Sequence, residues 1–259
     1  MSIRNLFDLS GKAAIVTGGS RGIGLQMAAA LGEMGAKVAI TARKQDELDD
    51  ARAHLESLGI QCMTVAADLS EFTAIPGIVD AVLLRWRQID ILVNNAGCSW
   101  AAPAEEYPDD SWRKVMSLNI DAQFFISREV GKRSMIARKC GKIVNIASIA
   151  GLYGNPPEWN MQTMAYNTSK GALINMTRAL AAEWGKYNIN VNAICPGFFP
   201  SKMSKVVLER IERSVLALTP LGRLGGDEDL MGSVVFLASE ASRHVTGQAL
   251  AVDGGCTAL

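Results

Sequence analysis

Residues 13–35 read AAIVTGGSRGIGLQMAAALGEMG. A short apolar run closes on glycines at Gly18 and Gly19, and the segment from Gly24 onward spaces its apolar side chains as a helix does. The run is too short to be a buried helix and ends in a turn signal, so the stretch reads strand, turn, helix. The unit then recurs. AKVAITA (36–42) is strand-like, and QDELDDARAHLESLG (45–59) is an exposed helix closed by a glycine. Strand candidates QCMTVAADL, IDILVNNAG, GKIVNIASIAG, INVNAICPGF and GQALAVDGG follow, separated by the helical patterns 74–88, 112–136, the segment after Tyr166, and 227–245. Seven mostly continuous apolar strands alternating with helices predict an α/β fold: one doubly wound Rossmann-type domain spanning 1–259, its parallel seven-stranded sheet flanked by helices. No linker, repeat or low-complexity segment divides the chain.

Composition narrows the function classes. The 259 residues are 49% hydrophobic and 20% charged, which suits a sizeable core. Lysine plus arginine and aspartate plus glutamate both count 26, so no charge excess argues for nucleic acid or an anionic membrane surface as partner. The N-terminus shows no signal-peptide pattern and no apolar run approaches a membrane span, so a cytoplasmic protein is expected. Cys62, Cys98, Cys140, Cys195 and Cys256 never fall as C-x-x-C and read as reduced thiols. With His54 and His244 as the only histidines, neither a metal site nor a serine–histidine triad is expected.

In doubly wound sheets ligands bind beyond the carboxyl ends of the strands. TGGSRGIG (17–24) lies at such an end. Glycine at Gly18, Gly22 and Gly24 allows a sharp turn, a close approach to a pyrophosphate and tight helix packing, and the helix N-terminus offers free N–H groups to phosphate. No G-K-[S/T] is present, so a P-loop is excluded. The second strand ends in TARK, with Ala42 where an NAD site offers a carboxylate to the ribose. Arg43 and Arg21 instead suit a 2′-phosphate, and NADP(H) is the expected cofactor. A solvated loop position is the other reading of Arg43.

AYNTSK (165–170) places Tyr166 and Lys170 four residues apart, on one face of a helix. Alone, the pair reads equally as an ordinary amphipathic turn. Together with the glycine turn, AADL (66–69), NNAG (94–97), Asn119 in SLNID, Ser148 in NIASIAG and PG (196–197), the order of motifs resembles the short-chain dehydrogenase/reductases over nearly the whole chain. Similarity reaches toward 3-oxoacyl-carrier-protein reductase-like members, including the rhamnolipid type with its PGxFPS pattern, and toward gluconate 5-dehydrogenase-like members.

The resemblance implies hydride transfer between a nicotinamide and a ketone or secondary alcohol. Tyr166 would be the general acid/base and Lys170 the group that lowers its pKa and holds the nicotinamide ribose. Ser148 would bind the substrate oxygen, and Asn119 would hold a water linking Lys170 to solvent. Core hydroxyl and helix-kink readings remain for Ser148 and Asn119 taken singly. Cofactor contacts implied are Gly18, Ser20, Arg21, Gly22, Ile23, Gly24, Arg43, Asp68, Leu69, Asn95, Ala96, Gly97, Tyr166, Lys170, Pro196, Gly197, Phe199 and Ser201. Residues 198–225 would cover the substrate, and a homotetramer joined through helices 111–137 and 166–186 is implied.

Two departures stand out. Ser148 and Tyr166 are eighteen positions apart, and the longer stretch GNPPEWNMQTM (154–164) should overhang the substrate carbonyl or tuck against a neighbouring subunit. Trp159, Met161 and Met164 would be pocket walls in the first case. Cys98 follows NNAG and reads as an inert thiol. The pocket candidates Cys98, Trp100, Ala150, Leu152, Tyr153, Trp159, Phe198 and Met203 are mostly apolar, favouring a 3-oxoacyl chain or another apolar carbonyl substrate, free or thioester-linked. A sugar-acid dehydrogenase, a catalytically inactive NADP-binding regulator and an RNA- or protein-binding module remain as alternatives. Arg138, Lys139 and Lys186 read either as a carrier-protein dock beside the entrance or as a solvated basic face.

Overall fold

A computed structural model describes residues 2–202 and 204–259. Its elements, in chain order, are α1 (Ile3–Phe7), β1 (Ala13–Thr17), α2 (Gly22–Glu33), β2 (Lys37–Ala42), α3 (Gln45–Ser57), β3 (Cys62–Ala66), α4 (Ile75–Trp86), β4 (Ile91–Asn94), α5 (Asp109–Met116), α6 (Ala122–Val130), α7 (Ile136–Arg138), β5 (Gly141–Ile146), α8 (Met164–Trp184), β6 (Ile189–Pro196), α9 (Lys205–Ala217), α10 (Met231–Ala238) and β7 (Ala249–Val252). All seven strand candidates form one parallel sheet in the order β3-β2-β1-β4-β5-β6-β7.

Strand period and helix period explain the layers. In β1, Ala14 and Val16 face one side, where they pack with Met27 of α2, Leu48 of α3 and Val234 of α10. Ala13 and Ile15 face the other and meet Ile78 and Val82 of α4, Ile126 of α6 and Trp184 of α8. Both faces are therefore dry, which is why the strands read as unbroken apolar runs rather than alternating ones.

After β3 the chain crosses β1 to begin β4 on the far side, so the loops leaving β1 and β4 diverge and open a crevice at the carboxyl edge. The predicted helix 112–136 is one rod interrupted by π-helical turns at Ser117–Asp121 and Gly131–Met135. The predicted helix 227–245 is shorter than its pattern: α10 stops at Ala238 because Ser239 turns extended, and its hydroxyl accepts the Ala241 N–H at 3.3 Å to start a separate 3₁₀ turn. α8 begins at Met164, two residues ahead of the expected start at Tyr166, so Tyr166 lies inside its first turn. Among the described residues no helix is long and apolar enough to cross a membrane.

Candidate active site

The crevice is built by side chains bonding to backbone. Thr17 Oγ1, at the end of β1, accepts the N–H of Asn95 at 2.9 Å and of Ala96 at 3.0 Å. Asn95 Nδ2 returns bonds to the carbonyls of Thr17 (2.9 Å) and Gly18 (3.0 Å). NNAG is thus clamped to the glycine turn. Gly18 sits at φ +63°, open to glycine at little cost. A Cβ on Gly24 would lie 2.3 Å from the Gly18 carbonyl oxygen, so only glycine lets α2 start this close to the turn. At Gly22 the outlook differs: a Cβ there would meet nothing nearer than Ser201 Cβ at 4.0 Å. The turn and the segment after β6 thus come within van der Waals reach of each other beside the N-terminus of α2, a place suited to phosphate.

Arg43 is exposed at the end of β2. Arg21 is engaged: its guanidinium contacts Glu47 at 2.6 Å, and Lys44 shares that carboxylate at 3.3 Å. The sequence reading of TARK found no acid there, because Glu47 enters from the first turn of α3. Its signal was the acidic start of that helix. Asp68 accepts the Ser70 N–H at 2.9 Å with one carboxylate oxygen. Phe199 is buried in the core beside Leu230 and Val234, leaving its backbone to face the groove. Ser201 and Ser204 cap one another, each hydroxyl accepting the other's N–H at 3.2 and 2.9 Å, and Ser204 Oγ also donates to the Phe199 carbonyl at 2.6 Å. Ser204, at the start of α9, is a contact that the sequence did not single out.

Beyond NNAG, Lys170 is 4% exposed and its Nζ donates to the Ile146 carbonyl at 2.6 Å. Burial, with no carboxylate beside it, pulls its pKa down to about 8. The ammonium lies 5.5 Å from the centre of the Tyr166 ring. Burial raises the pKa of the Tyr166 phenol above its ordinary value, and the Ser148 hydroxyl beside it only partly offsets this. Burial is thus the dominant influence on the phenol in this structure.

Asn119 is fully buried. Its Oδ1 accepts the Cys98 N–H at 2.9 Å, and Nδ2 donates to the Cys98 carbonyl (3.0 Å) and to Ser169 Oγ (2.9 Å). With both amide donors used, the side chain has none left for a water. Ser169, unremarked in the sequence, passes the contact on by donating to the Tyr166 carbonyl at 2.8 Å. Gln123, one turn beyond Asn119, pins the Ala96 carbonyl at 3.0 Å.

On the substrate side, Ala150 is nearly buried, Leu152, Trp100 and Met164 are exposed, and Tyr153 points its hydroxyl at Cys256 Sγ, 3.6 Å away. Trp159 is no open wall: at 1% exposure it packs on Phe198, Ile211 and Val215. Met161 joins that cluster, whereas Met203 lies outside the described residues. Burial pushes the Cys98 thiol up, against the pull of Lys114, Arg43 and Lys170. Arg138, Lys139 and Lys186 do not flank the entrance. They precede β5 and β6 and so stand at the amino edge of the sheet, where Arg138 pairs with the buried Asp90.

The family profile described as Enoyl-(Acyl carrier protein) reductase matches residues 18–257. The chain is 40% identical to gluconate 5-dehydrogenase of Gluconobacter oxydans over 259 residues, 99% of each protein. It is 38% identical to the rhamnolipids biosynthesis 3-oxoacyl-[acyl-carrier-protein] reductase of Pseudomonas aeruginosa, across 96% of this chain and 97% of that one. The crystal structure of a gluconate 5-dehydrogenase from Burkholderia cenocepacia, in complex with NADP and tartrate, superposes with a TM-score of 0.93 at 33% identity, covering 100% of both chains. A glycine turn opening α2, a tyrosine–lysine pair on α8 and these full-length matches lead to one conclusion: the chain belongs to the short-chain dehydrogenase/reductase family of oxidoreductases.

Proposed function

We propose that the protein is an NADP(H)-dependent oxidoreductase that interconverts a ketone and a secondary alcohol, with Tyr166, Lys170, Ser148 and Asn119 as its catalytic set. The observation that carries this is a phenol flanked by the Ser148 hydroxyl and by the buried Lys170 ammonium, 5.5 Å from its ring centre. The cofactor, when bound, supplies or accepts the hydride. Gly18 to Gly24 and the α2 N-terminus would hold its pyrophosphate, Arg43 and Arg21 its 2′-phosphate, Asp68 and Leu69 its adenine. Asn95 to Gly97 and Lys170 would hold the riboses, and Pro196, Gly197, Phe199 and Ser201 the nicotinamide side. With no side chain at Gly18, Gly22 or Gly24, the main chain of the turn is bare to a close approach, which suits such a ligand.

In reduction, Tyr166 gives its proton to the carbonyl oxygen and Ser148 donates a second hydrogen bond to the same oxygen. The Lys170 charge, in a site of low polarity, stabilises the phenolate left behind. In oxidation the phenolate takes the alcohol proton. The exposed Leu152, Met164 and Trp100, with Phe198 behind them, favour an apolar substituent such as a 3-oxoacyl chain under the cover of residues 198–225. A second reading, a sugar-acid dehydrogenase, is supported by the full-length likeness to gluconate 5-dehydrogenase. Apolar surface on the long helices, where Phe124 is 38% exposed beside Phe125, supports a homotetramer.

Initial rates on acetoacetyl thioesters, gluconate, 5-ketogluconate and bulky aromatic ketones, each with NADP(H) and NAD(H), test the proposal. Turnover confined to the thioesters and ketones supports the apolar reading, and turnover confined to the sugar acids supports the second. No turnover with any pair refutes both.

A further inference from the structure

The stretch between Ser148 and Tyr166 is fastened in three directions. At its base Asn155 Nδ2 donates to Thr163 Oγ1 at 3.0 Å, and Asn155 exchanges 3.3 Å bonds with Asn167, the residue after Tyr166. In the middle, the Gln162 carbonyl accepts the Ala102 N–H at 3.1 Å. At its tip Trp159 is sunk into α9: the indole Nε1 donates to Ser214 Oγ at 3.1 Å, and the ring sits with Ile211 and Val215. Arg210 donates from the same helix to the carbonyls of Trp159 (3.2 Å) and Asn160 (3.0 Å). Arg210, Ile211, Ser214 and Val215 form one stripe at helical spacing, so one whole side of α9 is occupied by this loop. A cleft of about 100 Å³ borders the same cluster, lined by Phe198, Val215 and Leu224. The Trp159 ring also meets Phe198 edge-on, its centre 5.2 Å away at 87°. Phe198 directly follows the Pro196–Gly197 pair at the carboxyl edge of the sheet.

We propose that Trp159 is a positioning residue that sets substrate size. Through Phe198 and α9 it fixes how far the outer wall of the substrate site stands from Tyr166, and the Asn155–Asn167 bonds tie that wall to the catalytic helix. The wall is fastened to the loop through the Trp159–Ser214 and Arg210 bonds, so the loop decides its position. This proposal rests on the site proposed above.

Four variants test it: Trp159→Ala, Trp159→Phe, Ser214→Ala and Arg210→Met. Amide hydrogen exchange of segments 157–162 and 205–217, measured without substrate, reads the coupling and needs no activity. Steady-state kinetics on a small and a bulky ketone at saturating NADPH, with NADPH affinity measured by titration, read its consequence. In Trp159→Ala both segments should exchange faster together, and KM for the small ketone should rise about tenfold or more while kcat changes less than about threefold. Discrimination between the two ketones should narrow, and NADPH affinity should hold within about twofold. Trp159→Phe should restore most of the KM, and the two α9 variants should fall between. An unchanged KM ratio, or faster exchange confined to 157–162, would overturn the proposal. A parallel loss of kcat and of NADPH affinity would also overturn it, since Trp159 would then serve general stability. Absence of ketone turnover by the unaltered protein would count against the proposed function, while the exchange data would still decide whether Trp159 couples loop to helix.

Discussion

Lys170→Met removes a charge that the fold holds at a cost. The ammonium is 4% exposed, and its pKa falls from the ordinary 10.5 to about 8. At about 1.4 kcal/mol for each tenfold change in ionisation, keeping it charged in the folded state costs roughly 3 kcal/mol at pH 7. Methionine fills similar space without the charge, but the Ile146 carbonyl loses its 2.6 Å partner. An unpaired buried acceptor costs about 1–3 kcal/mol, so the variant should gain about 0–2 kcal/mol at pH 7 while losing activity. The pH dependence carries the sign. The folded pKa lies below the unfolded one, so below pH 8 both states are charged and the penalty is complete. Between about 8 and 10.5 the folded state sheds its proton first and the penalty fades, so the wild type should gain on the variant by roughly 2–3 kcal/mol across that window. Urea unfolding at one fixed protein concentration, at pH 7 and pH 10, measures both. A variant less stable than wild type at pH 7, or a difference that does not change with pH, would refute the buried-charge reasoning.

Tyr166→Phe should lower kcat by several orders of magnitude with NADPH binding nearly unchanged, and alcohol oxidation by the wild type should quicken as pH rises, because burial holds the phenol protonated. Stopped-flow and titration data separate the two, and near wild-type turnover would sink the mechanism. Arg43→Ala should weaken NADPH binding roughly tenfold to a hundredfold and leave NADH alone. Glu47→Gln, which releases Arg21, should strengthen NADPH binding about twofold to fivefold. Equal affinities for both cofactors in the wild type would show that TARK is an ordinary basic loop. Sedimentation at micromolar concentration should find a tetramer, and a monomer would contradict the reading of the exposed Phe124 face.

The strand and helix order was legible because it rests on local periods: Ala13 to Val16 are apolar at every position only because both faces of β1 are covered. Most motif residues were legible too, since Gly18, Asn95, Ser148 and Pro196 fall at or just past the end of a strand that its own composition defines, and Tyr166 and Lys170 share one face of a helix. The sheet order then draws the ends of β1, β4, β5 and β6 into one edge, bringing Gly18, Asn95, Ser148 and Pro196 together. What the linear chain could not disclose were pairings between segments far apart in it. Glu47 reaches Arg21 across 26 positions, Ser169 reaches Asn119 across 50, and Trp159 reaches Ser214 across 55. The placement of Arg138, Lys139 and Lys186 at the far edge likewise follows from strand direction rather than from their charge. The pKa values of Tyr166 and Lys170 belong to the tertiary structure as well. The i, i+4 spacing announced a lysine beside a tyrosine, but burial, which only packing creates, moves the phenol upward and the ammonium down.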